Sequence, residues 1–145
     1  MRSCGTCNAC CTLLGVEALA KPTFSPCSHL CSKRGTTKSC TIYAERPEPC
    51  GTFKCGWLMG VGGSKDRPDK SGLMLTNSTQ TTLHDAFQIQ AYRLGSTWSS
   101  RAQALLSALA QKAVVVWVEK DRRSVLGGPT EALAQLQHNM KGIAS

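Results

Sequence analysis

The chain has 145 residues with a hydrophobic content of 41%, which is typical of one soluble domain. Its longest near-apolar run, residues 113–118, is far shorter than the ~20 residues of a membrane span, which excludes a transmembrane protein. The net charge of +8 is shared by both halves of the chain. Residues 1–60 carry seven Lys and Arg against three Asp and Glu, and residues 61–145 carry ten Lys and Arg against six Asp and Glu. Because neither half is a basic arm, no nucleic-acid partner is expected.

Residues 1–60 make up the first predicted unit, a loop-rich module that we call the cysteine module. Glycines and prolines interrupt every potential long element. Only a short helix from Cys10 to Leu19 and a short extended or helical turn from Cys40 to Tyr43 are predicted. Because such a broken segment buries little apolar surface, we expect a metal to supply the missing stabilisation.

The distribution of cysteine separates the two halves of the chain. All nine cysteines lie in the first 55 residues, at Cys4, Cys7, Cys10, Cys11, Cys27, Cys31, Cys40, Cys50 and Cys55. We expect a cytoplasmic location, in the protein's own cell or in a host, because the sequence opens without an apolar signal-peptide region. Thiols there stay reduced, and an odd count with two adjacent cysteines is typical of metal binding rather than of a disulfide framework.

The first cysteine motif, Cys-x-x-Cys-x-x-Cys-Cys, spans residues 4–11. Two intervening residues let a tight turn direct neighbouring sulfurs towards one point. Three such cysteines on one loop, with a distant fourth, have the spacing of bacterial ferredoxins, which favours a [4Fe-4S] cluster. Four thiolates also satisfy the tetrahedral preference of zinc, so zinc stays an alternative.

The later cysteines fall in four short motifs. These are Pro26-Cys27-Ser-His29-Leu, Cys40-Thr-Ile-Tyr43, Arg46-Pro-Glu-Pro-Cys50 and Phe53-Lys-Cys55-Gly-Trp57. Together with the first motif, the series resembles the CxxCxxCC zinc- or iron-chelating family, also called the YkgJ-like cysteine-cluster proteins, over residues 4–58. The Arg-Pro-Asp-Lys-Ser-Gly segment at residues 67–72 resembles one often found after the cysteines in longer members.

The resemblance implies metal ligation but no particular reaction. The eight cysteines of the family match Cys4, Cys7, Cys10, Cys11, Cys27, Cys40, Cys50 and Cys55. Cys31 is additional, so we expect it to be a free thiol or a substitute ligand. We expect His29 to hydrogen-bond to a sulfur rather than to ligate. Two four-ligand sites, or one cluster with the other cysteines in reserve, both stay open.

The second half of the chain has regular periodicity beyond a glycine- and charge-rich connection at residues 61–72. The predicted elements are strands Leu73 to Thr76 and Phe87 to Leu94, a helix Ser99 to Lys112, a buried strand Ala113 to Glu119, a paired strand Ser124 to Leu126 and a helix from Pro129 to about Met140. The predicted class is α+β, in which a small antiparallel sheet with one or two helices, residues 73–145, supports the cysteine module and forms one compact unit with it.

No enzyme signature stands out. The spacing of radical-SAM enzymes fails because Leu14 occupies the third cysteine position, and no phosphate loop or hydrolase motif is present. We therefore predict a metal-binding protein that holds an iron-sulfur cluster, preferably [4Fe-4S], or zinc, as a structural staple or a redox centre. Two alternatives stay open: a metal-stapled structural component of a larger assembly with protein partners, such as a phage tail or tail tip, and an electron-transfer or redox-sensing protein. No membrane partner is expected.

Overall fold

The computed structural model describes residues 2–5, 7–30, 40–77 and 88–134. The helices are α1 (Ala9–Leu13), α2 (Glu48–Thr52), α3 (Pro68–Ser71) and α4 (Ser100–Ala110), and short 3-10 turns cover Glu17–Leu19, Tyr43–Glu45 and Ser64–Asp66. The strands are β1 (Leu73–Asn77), β2 (Gln88–Arg93), β3 (Val114–Val118) and β4 (Arg123–Gly127). A further helix begins at Thr130, and its predicted end near Met140 lies outside the described residues. Within those residues, no helix is both long and apolar enough to cross a membrane.

The four strands form one sheet in the order β1-β2-β3-β4. The outer pairs β1-β2 and β3-β4 are antiparallel, whereas β2 and β3 run parallel. The predicted α+β class with a small sheet is confirmed, but the sheet is mixed rather than wholly antiparallel. The parallel pair arises because α4 carries the chain back over one face of the sheet before β3 begins.

Helix α4 covers one face of the sheet. The Ser99 hydroxyl caps its N-terminus by accepting a hydrogen bond of 3.1 Å from the Ala102 amide. The predicted helix from Ser99 to Lys112 is therefore confirmed, with ends one and two residues shorter. Buried side chains of α4 and of the strands form one apolar cluster: Leu73, Leu75, Ile89, Ala91, Ala102, Leu106, Ala113 and Val115.

The opposite face of the sheet is covered by the cysteine module. Side chains on this face alternate along each strand with those that face α4. A second apolar cluster joins them to α1 and to the chain after α2: Ala9, Leu13, Cys55, Met74, Tyr92 and Val118. Phe24, Phe53 and Trp57 pack against this cluster. The sheet is therefore the core that α4 and the cysteine module share.

A tight turn at residues 55–59 docks the cysteine module on the edge of β1. The Gly56 amide donates a 2.7 Å hydrogen bond to the Leu75 carbonyl. A Cβ atom at Gly56 would lie 2.8 Å from the Leu75 Cβ atom, so this approach requires glycine. The Arg2 guanidinium lies over the Trp57 ring, 4.9 Å from its centroid, and donates to the Trp57 carbonyl at 2.7 Å. These contacts fix the two ends of the module against β1.

Residues 61–72, predicted as a connection, hold the 3-10 turn Ser64–Asp66 and helix α3. The Asp66 carboxylate is buried and accepts hydrogen bonds from the Gly63 amide at 2.7 Å and from the Arg101 guanidinium at 3.1 Å. Since Arg101 belongs to α4, this ion pair ties the segment to the helical layer. The Arg2 guanidinium of the cysteine module donates to the Val61 and Gly62 carbonyls at 3.2 and 2.6 Å, so the segment contacts both layers of the molecule.

The helix predicted from Cys10 to Leu19 is divided in the structure. Helix α1 ends at Leu13 and the next residue is extended. The chain then closes a small loop, in which Val16 and Lys21 exchange backbone hydrogen bonds of 2.9 and 3.0 Å around the turn Glu17–Leu19. This loop directs the Lys21 side chain into the cysteine module, where it is buried near Cys11 and Cys27.

Candidate metal centre

The eight cysteines matched to the family all lie in described parts of the cysteine module, and all are free thiols. Four come from the loop before α1 and from α1 itself, two from the loops at residues 27 and 40, one from α2 and one from the chain that follows α2. The additional Cys31 lies outside the described residues.

Cys55 is the buried member of the set. It belongs to the apolar cluster beneath the sheet, and Cys7 and Cys10 pack against that cluster. Cys4 reaches the same region through a turn in which the Cys7 amide donates to the Cys4 carbonyl at 2.9 Å. Burial raises the pKa of the Cys4 thiol, and the nearby charge of Cys55 raises it further.

Cys50 and Cys4 share Cys11 as a thiol neighbour and otherwise lie beside different thiols. Burial raises the Cys50 pKa, and the neighbouring charges of Cys11, Cys27 and Cys40 raise it further, in that order. The backbone joins these residues as well, because the Cys27 amide donates to the Cys11 carbonyl at 3.0 Å. Cys40 pairs with Leu30 in an isolated antiparallel bridge, which holds it close to the Cys27 loop.

Cys10 and Cys11 are adjacent in sequence and their sulfurs are hydrogen-bonded. The Cys10 thiol donates to the Cys11 sulfur, which raises the pKa of Cys10 and lowers the pKa of Cys11. Burial further raises the pKa of Cys10, whereas the charges of Lys21 and Arg46 further lower that of Cys11. Of the two thiols, Cys11 is therefore the more readily ionised.

Lys21 brings a cation into the cysteine module. Its side chain is buried, with the ammonium donating to the Leu14 carbonyl and, at 3.1 Å, to the Pro22 carbonyl. Burial lowers the Lys21 pKa, and the nearby Cys27 and Cys11 thiolates oppose that effect most strongly. A buried ammonium next to thiolates offsets the negative charge that a thiolate metal site carries.

Arg67 and Asp69 contact the thiols at the other end of the module. The Asp69 amide donates a hydrogen bond to the Cys7 sulfur, which opposes the rise in the Cys7 pKa caused by burial. The Arg67 guanidinium pairs with the Asp69 carboxylate at 2.5 and 2.6 Å and interacts with the charges of Cys7 and Cys4. A contribution of segment 67–72 to the site was not predicted from sequence, although the resemblance of this segment to the family was the available signal.

The donor chemistry of these eight thiols fits a thiophilic metal or an iron-sulfur cluster. Among the described residues, however, no three His, Cys, Asp or Glu side chains already converge on one metal position. Completing a coordination shell therefore requires thiol side chains to reorient. The expected hydrogen bond from the His29 ring to a sulfur stays a prediction; the His29 carbonyl accepts from the Thr41 amide at 2.7 Å.

Fold and site together define a small α+β protein whose cysteine-rich module packs on one face of a mixed sheet. Comparison of the chain with protein-family models, curated proteins and solved structures gives no match. The resemblance to the CxxCxxCC family therefore stays a prediction.

Proposed function

We propose that the protein binds an iron-sulfur cluster, preferably [4Fe-4S], or zinc through its clustered cysteines, as a structural staple or redox centre. The observation that carries this proposal is the gathering of thiols from distant parts of the sequence within electrostatic reach of one another. Cys4 interacts with Cys55, and Cys50 interacts with Cys11, Cys27 and Cys40.

Metal binding changes the protonation state of the buried thiols. Burial raises the pKa of Cys4, Cys7 and Cys50, so these groups are held as protonated thiols at neutral pH. A bound cation stabilises the thiolate form and releases the protons. Binding free energy then contributes to the folding of the module, which has few apolar contacts of its own.

Two aromatic side chains support an iron-sulfur cluster or zinc centre that is screened from water. Phe53 and Trp57 pack against the apolar side-chain cluster that contains Cys55. The Trp57 ring is further covered by the Arg2 guanidinium. Limited solvent access slows metal loss and shifts redox potential. An iron-sulfur cluster would supply one-electron chemistry, whereas zinc would supply cross-linking alone.

Elemental analysis tests the proposal. The protein is purified without air, and iron, zinc and acid-labile sulfide are measured per chain together with the visible spectrum. A coloured protein with iron and sulfide that bleaches on reduction supports the cluster, and a colourless protein with zinc supports the staple. A protein that contains neither metal, and that takes up neither after reduction and reconstitution, overturns the proposal.

Ligand variants test which thiols are involved. Cys7→Ser and Cys10→Ser are each expected to lose metal and to make the cysteine module sensitive to protease, because Ser has no stable thiolate equivalent. The matched control, Cys31→Ser, is expected to keep the metal content of the wild type. Full metal content in both ligand variants would contradict the assignment, and loss in the control would make Cys31 a ligand.

The role as a staple within a larger assembly, such as a phage tail or tail tip, stays a prediction. Light scattering on the same metal-loaded preparation addresses it. A monodisperse monomer without a co-purifying partner counts against an assembly.

A further inference from the structure

Helix α1 separates neighbouring cysteines by direction. Ala9 and Leu13, one helical turn apart, are both buried against the sheet. Successive side chains on a helix point about 100° apart, so Cys10 lies to one flank of this buried side and Cys11 lies nearly opposite to it. Two cysteines that are adjacent in sequence are therefore directed to different sides of one helix.

The surroundings of the two residues follow this division. Cys10 packs against the apolar cluster that contains the buried Cys55, and Cys7 does the same. Cys11 instead joins the Cys27 loop, since its carbonyl accepts the Cys27 amide at 3.0 Å. Cys11 also crosses the division, because the Cys10 thiol donates a hydrogen bond to its sulfur and its charge acts on Cys4.

The electrostatic neighbours follow the same division in part. The strongest thiol influence on Cys4 comes from Cys55, followed by Cys11. The thiol influences on Cys50 come from Cys11, Cys27 and Cys40. Arg46 acts on Cys4, Cys11 and Cys50 alike, but each set also has a further cation nearby. Arg67 interacts with the charges of Cys7 and Cys4, whereas the buried Lys21 interacts most strongly with those of Cys27 and Cys11.

Separate cations have a physical purpose where two thiolate centres lie side by side. A divalent ion, or a cluster core of charge +2, bound by four thiolates has a net charge of −2. Two such centres within one small module repel each other, and the repulsion is strong where water is excluded. A guanidinium beside one centre and an ammonium beside the other reduce that cost.

We infer that the cysteine module holds two metal centres with four thiolates each, an inner one against the sheet and an outer one on the far side of α1. The inner centre consists of Cys4, Cys7, Cys10 and Cys55. The outer centre consists of Cys11, Cys27, Cys40 and Cys50. This inference rests on the proposed metal binding and resolves the choice that the sequence leaves open.

Thiol alkylation of partly loaded wild-type protein tests the partition without any substitution. The reduced full-length chain is given Zn²⁺ in increasing amounts, treated with iodoacetamide, digested, and each cysteine is scored for protection by mass spectrometry. Zinc should protect the cysteines in two blocks of four that correspond to the inner and outer centres. Equal partial protection of all eight at every loading, or blocks of other membership, would overturn the partition.

Zinc stoichiometry in matched variants provides the second measurement. The wild type should retain two Zn²⁺ ions per chain after desalting, and Cys55→Ala and Cys50→Ala should retain one each. Adding Cys7→Ala to Cys55→Ala should cause no further loss, because both residues belong to the inner centre. Combining Cys55→Ala with Cys50→Ala should remove both ions.

The outcomes separate this inference from the proposed function. If the wild type binds zinc but either single variant loses all of it, the thiolates form one shared cluster and the two-centre inference fails while metal binding stands. If the wild type binds one ion that Cys50→Ala retains in full, a single inner centre with cysteines in reserve is correct. If the wild type binds neither zinc nor reconstituted iron and sulfide, the proposed function itself fails.

Discussion

Lys21 shows how a single residue couples the loop after α1 to the thiols. Only 8% of its surface is exposed, and its ammonium is held by the carbonyls of Leu14 and Pro22. Burial of an ammonium disfavours its charge, so the residue is tolerable where compensating negative charge lies nearby. Cys11 and Cys27 supply that charge once they are thiolates.

Replacing Lys21 with Met should weaken zinc binding by about 10- to 100-fold, the range found for residues that support metal ligands without touching the metal. The reason is the loss of the cation beside the outer thiols. Chelator competition measures the affinity, with Lys21→Arg expected to retain most of it and the exposed Lys65→Met as the control of equal charge change. Equal affinity of Lys21→Met and Lys65→Met would contradict an electrostatic role.

Asp66 gives a residue-scale prediction with a pH signature. Hydrogen bonds from Arg101 and from the Gly63 amide hold the pKa of this carboxyl below its usual range. A folded-state pKa below the unfolded value of about 3.9 means that the carboxylate stabilises the fold fully above that pH. The contribution is then lost as the pH falls through the folded-state pKa.

Asp66→Asn should therefore lower the free energy of unfolding by about 1–3 kcal/mol at pH 7, and the difference from the wild type should shrink below pH 4. Chemical denaturation at several pH values measures it. The exposed pair Arg122 and Glu119, 2.9 Å apart, provides the control, because Glu119→Gln should change stability by at most about 1 kcal/mol. A pH-independent loss in Asp66→Asn would show that packing, and not charge, accounts for it.

At the scale of elements, the contact between the 55–59 turn and β1 determines how the cysteine module is placed. Gly56 lies where backbone meets backbone, with its amide 2.7 Å from the Leu75 carbonyl. The position fixes the adjacent Cys55 against the sheet. An added methyl group there has no room to fit without moving β1 or the turn.

Gly56→Ala should destabilise the protein by about 1–3 kcal/mol. Limited proteolysis should also cleave the cysteine module faster in this variant than in the wild type. Gly63→Ala is the matched control, since a Cβ atom there meets the Asp66 carboxylate at an ordinary 3.6 Å and the backbone is extended. Its stability should stay within about 0.5 kcal/mol of the wild type. Equal stability of the two variants would show that the turn can shift freely.

The elements that follow local patterns were predictable from sequence. The alternation around residues 88–93 and the β-branched run at 114–118 mark β2 and β3, because each pattern matches the period of a strand. The parallel pairing of these two strands was missed, although the order strand-helix-strand was a usable signal. The division of the helix predicted from Cys10 to Leu19 was not predictable, because it depends on the pairing of Val16 with Lys21.

The candidate site was likewise predictable from sequence only in part. The motif at residues 4–11 reveals its thiols through spacing alone, and resemblance supplies the other four. Which thiols are neighbours depends on how α1 lies on the sheet and on where α2 returns the chain, and neither is a local property. The placement of Arg67 beside Cys7 and Cys4 is likewise a product of the fold.

The whole molecule is a sheet between two unequal layers. The side covered by α4 is an apolar core that includes Leu75, Ile89, Val115 and Leu106. Among the described residues, this core contains no cysteine. The other side depends on the cysteine module to cover Met74, among the most deeply buried side chains of the described chain. Loss of the module would expose that face to water, at a cost of about 25 cal/mol for each Å² of apolar surface.

Removing metal from the loaded protein is therefore expected to unfold the two layers unequally. The core beneath α4 should persist with marginal stability, because its contacts do not involve a thiol. Hydrogen exchange on the chelated protein measures this, and slow amides should remain in α4 and β3 while those of α1 and the 55–59 turn exchange fast. The metal-loaded protein, with slow amides in both layers, is the control. Simultaneous loss of protection everywhere would mean that the metal centre is the nucleus of a single cooperative unit, because the uncovered face of the sheet cannot then be sustained by α4 alone.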